Sequence, residues 1–240
     1  MAPNILVVLT SHDKLGDSNK PTGWFLAKFS IQPESSHPWR YFNEVKASVA
    51  VASSAGGRAP LDPISAEVSK QDPLSTSFLE EQKALWENTS KLSSFLGKAD
   101  KFDVIFFPGG HGPMYDLAGD AASQQLIAEF WEKGKIVAAV CHGSAALVNV
   151  KLLDGSLLLK GKTVTGFSNE EEDYAKLSQF MPFMLETKLD EASEGKFVKA
   201  EHQFGEKVAV DGRLITGQNP ASAKGVAEAI IEALGVSAST

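Results

Sequence analysis

Cysteine is almost absent from this chain of 240 residues, and Cys141 is the only one. One thiol can neither close an internal disulfide framework nor build a cysteine-rich zinc site. Excess basic charge is missing too. Lys and Arg number 23 against 30 Asp and Glu, for a formal net charge of −7. That balance excludes the basic face that sequence-blind nucleic-acid binding needs. No apolar run approaches the roughly 18–20 residues of a membrane span. The opening MAPNILVVLTSHD has no basic stretch ahead of its apolar run, so no secretory leader is expected. With 43% hydrophobic and 22% charged residues, the composition is that of an ordinary soluble protein. A cytoplasmic location is expected, with the nucleus as a second compartment, and neither membrane nor nucleic acid as partner.

What the sequence does have is short apolar runs alternating with helical stretches. Residues 5–9 (ILVVL), 47–52 (ASVAVA), 104–107 (VIFF) and 136–140 (IVAAV) are apolar on both faces, as in a parallel sheet covered by helices on each side. Further strands are predicted at 163–166, 208–210 and 213–216, with VAVDGRLIT reading as a β-hairpin around Asp-Gly. Helices are predicted over 73–95, 121–133 and 221–234, the last capped by Asn219 or Ser222. This alternation predicts a doubly wound α/β sandwich. Without repeats or a composition break, residues 1–240 form one domain, with loop insertions around 12–38 and 53–72. Residues 186–206 read as a solvated surface helix and loop.

In such a sheet the reactive site lies beyond the carboxyl ends of the strands. FFPGGHG (106–112) and VCHGS (140–144) both fall there, each a strand running into a glycine-containing turn. A strained elbow can present Cys141 as a nucleophile, and a following helix dipole would favour its thiolate. The amides of Gly110 and His142 are candidates for an oxyanion hole, with Gly109 and His111 beside them. The bland alternative is a buried, inert Cys141 and a packing His142. His12, His37, His111 and His202 show no HxxxH or HxH spacing, so no metal site is expected, and His111 is expected to line the pocket or bond within its own turn.

FFPGGHGPMYDL, VAAVCHGSAALV, GKTVTGFSNEEE and DGRLITGQNPASA, in this order, resemble the ThiJ/PfpI superfamily. LTSHDKLGDSNKPTGWF and ASSAGGRAPLDP extend the likeness to its subgroup of glutathione-independent glyoxalase III enzymes and related heat-shock chaperones. The resemblance implies a flavodoxin-like sandwich with Cys141 as nucleophile and His142 beside it. It also implies a glutamate near the sulfur, within a Glu-x-x-His-Pro pattern. PESSHPW places that glutamate at Glu34, although gap-free counting would reach Ala27 or Lys28. A third acid follows the Thr-Gly-Phe motif. Glu170, Glu171, Glu172 and Asp173 are available, motif spacing favours Glu172, and most of the run is expected to be solvated.

The implied reaction converts methylglyoxal and related 2-oxoaldehydes to D-lactate through a cysteine hemithioacetal, with Glu34 or His142 as the base and no cofactor. The implied assembly is a homodimer. Two other functions stay open: a holding chaperone or redox sensor that binds unfolded clients, and a cysteine amidohydrolase or peptidase. Adjacent Cys and His are unlike the separated pair of papain-type enzymes, which weighs against the hydrolase.

Overall fold

The computed structural model describes residues 2–26, 38–70 and 73–236. In chain order the elements are β1 (Asn4–Leu9), α1 (Pro38–Glu44), β2 (Ser48–Ser53), α2 (Pro63–Ser69), α3 (Pro73–Glu81), α4 (Lys83–Glu87), β3 (Ser90–Lys91) and β4 (Val104–Phe107). They continue as α5 (Ala121–Glu132), β5 (Ile136–Val140), α6 (Asn169–Tyr174), α7 (Leu185–Ala192), β6 (Val208–Asp211), β7 (Leu214–Gly217) and α8 (Ala223–Ala233). The strands form one seven-stranded sheet in the order β3-β2-β1-β4-β5-β7-β6. All pairs are parallel except the β6–β7 hairpin at one edge.

The apolar runs become the central strands because both of their faces are covered. Every residue of β4 and β5 is buried. α5 packs on β4 and β5, α8 packs on β5 and β7, and α1 lies against α8. Phe42 of α1 meets Phe106 edge to face at 6.0 Å, and Phe130 of α5 stacks on Phe102 at 6.1 Å. The hairpin turns at Gly212 with φ +61°. Arg213 is not left-handed, so only the first loop residue is, as a type II′ turn requires.

Several sequence expectations need correction. The single helix over 73–95 is broken into α3, α4, β3 and a 3-10 turn at Leu92–Phe95. The break has a cause: Thr89 exchanges both backbone bonds with Gly57 (2.8 and 2.9 Å), diverting the chain to the loop after β2. Residues 163–166 form no strand. Val164 makes only an isolated bridge to Phe197, and the Thr165 amide donates to Thr216 Oγ1 at 3.0 Å instead of joining a ladder. Residues 186–206 are not wholly solvated, because α7 buries Leu189 and Ala192. Neither Asn219 nor Ser222 caps α8 through its side chain. No helix among the described residues is long and apolar enough to cross a membrane.

Phe130 is fully buried in this core, whereas Leu153 is 87% exposed. Phe130→Ala is expected to lower unfolding free energy by about 3–5 kcal/mol in denaturant titration. Leu153→Ala should change it by less than about 0.5 kcal/mol.

Candidate active site

The site is assembled where β4 and β5 end. Cys141 directly follows β5 with φ +58°, in the left-handed region that non-glycine residues seldom adopt. A 3-10 run, Cys141–Leu147, takes the chain away from the sheet edge. This bend is the strained elbow expected of VCHGS, and it costs on the order of 1–3 kcal/mol that the surrounding core must offset.

Cys141 is held from the neighbouring turn. A Cβ on Gly109 would lie 2.7 Å from Cys141 Cβ and 3.2 Å from Sγ, so only glycine lets the two loops approach this closely. Gly110 has φ +98°, and a Cβ there would fall 2.1 Å from the Gly23 carbonyl oxygen. The Phe25 amide donates to the Gly109 carbonyl at 2.8 Å. That loop is itself tied down, since Trp24 N–H donates to Pro60 O at 2.9 Å and Thr22 Oγ1 donates to buried Asp62 at 3.0 Å. Residues 22–25 and 60–62, from the two stretches read as loop insertions, therefore buttress the Gly109–Gly110 turn. The backbone amides of His142 and Gly110 both favour negative charge on the sulfur.

The acid side comes from the segment after residue 163. Ser168 and Glu171 form a reciprocal capping box at the start of α6. The next residue, Glu172, is thereby turned toward the cysteine elbow. His142 Nε2 lies 2.6 Å from Glu172 Oε2, and His142 Nδ1 lies 3.3 Å from Cys141 Sγ. Phe167 covers the imidazole with ring centroids 4.4 Å apart. Of the four acids offered by the sequence, Glu172 is the one on His142, and Glu170 and Asp173 are exposed.

The expectation of a mostly solvated acidic run fails at two positions, since Glu171 and Glu172 are both buried. Glu171 accepts from the Phe204 amide at 3.1 Å and from Asn219 Nδ2 at 2.8 Å. The His111 carbonyl accepts from the Met114 amide within its own turn at 3.1 Å, but its side chain bonds outside it. Its Nε2 lies 3.0 Å from Glu172 Oε1, and its ring is 4.1 Å from that of His142. Sequence gave no signal for Asn219 at the site or for two imidazoles on one carboxylate. Glu34 and His37 lie outside the described residues. Of the other histidines, His12 stacks on Tyr115 at 4.4 Å and His202 is exposed.

Electrostatics follow from burial. Burial pushes the Cys141 thiol well above its usual range, nearby Glu171 and Glu172 add to this, and the amides of His142 and Gly110 oppose it only in part. The lowered thiol pKa expected from a helix dipole is thus overturned: a fully desolvated sulfur among carboxylates outweighs a short 3-10 turn. Burial also pushes His142 down, and adjacent His111 reinforces this against the pull of Glu172. For Glu172, burial pushes the carboxyl up, but the His142 and His111 imidazoles outweigh it and hold it well below the carboxylate range. These directions favour a thiol at Cys141, a neutral imidazole at His142 and a carboxylate at Glu172. An ionised carboxylate only accepts, so Nε2 of each histidine carries its proton and donates to Glu172. Nδ1 of His142 is left as the acceptor for the Cys141 proton.

His111, His142 and Glu172 also offer three metal-ligating atoms within 4.8 Å of one another. Both histidine Nε2 atoms and both carboxylate oxygens of this set are already joined by hydrogen bonds. An ion would have to displace two protons from a buried cluster.

Comparison with known proteins agrees with this architecture. A family model described as "DJ-1/PfpI family" matches residues 25–233. The Schizosaccharomyces pombe protein named "Probable glutathione-independent glyoxalase hsp3103" is 38% identical over 142 residues, covering 56% of this chain and 54% of that protein. The chain thus aligns with about half the length of that relative. Glyoxalase 3 of Candida albicans is 29% identical over 245 residues, covering 95% of this chain and 97% of that one. The crystal structure of glyoxalase III from Candida albicans superposes with a TM-score of 0.81 at 27% identity, covering 97% of each chain.

Two outcomes test this geometry. Gly109→Ala should push Cys141 off its position and slow its alkylation by iodoacetamide at least about tenfold, roughly 1.4 kcal/mol in the barrier, while far-ultraviolet circular dichroism stays unchanged. Glu172 has a folded pKa below its unfolded one, so its stabilisation is present above the ordinary carboxylate pKa and lost as pH falls toward the depressed value. The stability gap between wild type and Glu172→Gln should therefore shrink as pH drops below about 4.3. A gap that widened in acid would contradict the assignment.

Proposed function

Because the chain belongs to the DJ-1/PfpI family, we propose that it is a glutathione-independent glyoxalase that converts methylglyoxal and related 2-oxoaldehydes to D-lactate and its 2-hydroxy-acid analogues. The observation that carries this reading is the continuous line from Cys141 Sγ through His142 to Glu172, at 3.3 and 2.6 Å. The names of the Candida albicans relatives support it.

The resting thiol needs a base, and His142 Nδ1 is the one in reach. As the sulfur attacks the aldehyde carbon, its proton passes to His142, and Glu172 stabilises the resulting imidazolium. Glu172 also fixes the tautomer, because its carboxylate keeps the proton on Nε2 and the lone pair on Nδ1. The aldehyde oxygen becomes an oxyanion on a carbon bonded to Sγ, where the amides of Gly110 and His142 are the candidates to hold it. Transfer of hydrogen from the first carbon to the second turns this adduct into a thioester of the 2-hydroxy acid. Water then cleaves the thioester and restores the thiol. A glutathione thiol is unnecessary because Cys141 takes its place.

Purified protein given methylglyoxal without glutathione is expected to release D-lactate. Cys141→Ala should abolish release, by at least about 1000-fold. Glu172→Gln should reduce it about 100-fold. Release that survives Cys141→Ala, or a wild-type protein that produces none, would contradict the proposal.

A further inference from the structure

The ends of β1 and β2 and the turn after β4 meet on one carboxylate, that of Asp116. We propose that Asp116 is a positioning residue. It locks the turn carrying Gly110 and His111 to the two strand ends, and so holds His111 on Glu172. The inference rests on the glyoxalase reading for its effect on turnover, but not for the placement of His111.

Asp116 Oδ1 accepts from Thr10 Oγ1 at 2.9 Å and from the Leu117 amide at 2.7 Å. Its Oδ2 accepts from the Ser11 amide at 2.8 Å and from Ser54 Oγ at 2.7 Å. Thr10 and Ser11 directly follow β1, and Ser54 directly follows β2. Thr10, fully buried, carries the lock onward. Its Oγ1 accepts from the His12 amide at 2.9 Å, so its own proton goes to Asp116. Its side chain fills the space that a Cβ on Gly112 would need, at 2.4 Å from Cγ2 and 2.5 Å from Oγ1. Gly112 adjoins His111, and the turn between His111 and Asp116 is closed by its own backbone. The Met114 amide donates to His111 O at 3.1 Å and the Tyr115 amide to Gly112 O at 3.0 Å. His111 Nε2 in turn lies 3.0 Å from Glu172 Oε1. The His12 ring stacks on Tyr115 at 4.4 Å, which ties the same two segments a second time.

The partners demand a carboxylate. The Ser11 and Leu117 amides can only donate, and one of them sits on each oxygen of Asp116. An asparagine would set its NH2 group against one of these amides whichever way it faced. Asp116→Asn, nearly equal in size and shape, therefore breaks the lock without opening a cavity. The turn is then free to shift, and misplacing a site group by about 1 Å costs on the order of 100-fold in rate at most sensitive positions. His111 reaches the reacting groups only through Glu172, so a smaller loss is expected from its displacement.

Asp116→Asn is expected to keep the far-ultraviolet circular dichroism of wild type and to lower kcat for methylglyoxal about tenfold, with KM within about threefold. Thr10→Val removes the hydroxyl at nearly constant size and should do the same. Thr10→Ser keeps the hydroxyl and should stay within about threefold of wild type. A cycle with His111→Ala separates positioning from general damage. In that background Asp116→Asn should lower kcat by less than about threefold further, because the ring it places is gone. The imidazole proton resonances of His111, identified by their loss in His111→Ala, should move in Asp116→Asn while those of exposed His202 stay. Unmoved His111 resonances overturn the inference. So does wild-type turnover in Asp116→Asn, or a further loss of about tenfold in the His111→Ala background. If the wild-type protein releases no lactate, the glyoxalase reading fails, and the His111 resonances alone decide whether Asp116 places that ring.

Discussion

Everything at the site depends on Cys141 holding a left-handed backbone at the end of the central strand β5. A residue continuing β5 normally would point its side chain into a helix-covered face and be one more core residue. The turn at φ +58° instead brings the sulfur over the strand ends, against the turn that leaves β4. Two things fix it there. The buried strands below cannot shift without opening the core, and the Gly109–Gly110 turn above is clamped by the loop through Gly23 and Phe25. Strain of this kind persists only where the surroundings over-determine it, and here they do so from both sides.

The second dependency is electrostatic. Three buried ionisable groups, Cys141, His142 and Glu172, share a space from which water is excluded, with His111 at its edge. The Glu172 carboxylate is tolerated there because two imidazole N–H groups solvate it. A thiolate beside it would add a further negative charge, which among the described residues the backbone amides of His142 and Gly110 offset only in part. The charge arrangement therefore favours a sulfur that ionises during attack rather than before it. Glu171 serves a different purpose although it is the neighbouring residue. It closes the helix start and ties the 203–205 loop and Asn219 to it, so that Glu172 is aimed correctly.

Much of this was legible in the sequence, for physical reasons that can be named. Strands buried on both faces must be apolar at every position, so VIFF and IVAAV declared both their conformation and their place in the sheet. The glycines of PGGHG and the Cys-His pair follow those strands directly, which marks the strand ends as the reactive edge. Glu172 could be chosen from motif spacing. That choice agrees with the geometry because the capping box around Ser168 sets which residue of the acidic run turns inward. Other features were hidden because they are made by distant partners. The helical pattern over 73–95 says nothing of the Thr89–Gly57 pairing that breaks it. An acidic run reads as solvated until the Phe204 amide and Asn219 arrive from a remote part of the chain. The burial of Cys141 was hidden for the same reason, since local sequence shows a turn but not its depth.

The central claim is that the resting nucleophile is a neutral thiol, with its proton taken by His142 only during attack. Thiolate ultraviolet absorbance, measured against pH as the difference between wild type and Cys141→Ser, tests it most directly. The account predicts no thiolate signal at neutral pH and a rise only above the ordinary thiol value of about 8.5. A full thiolate signal already present at neutral pH would contradict it.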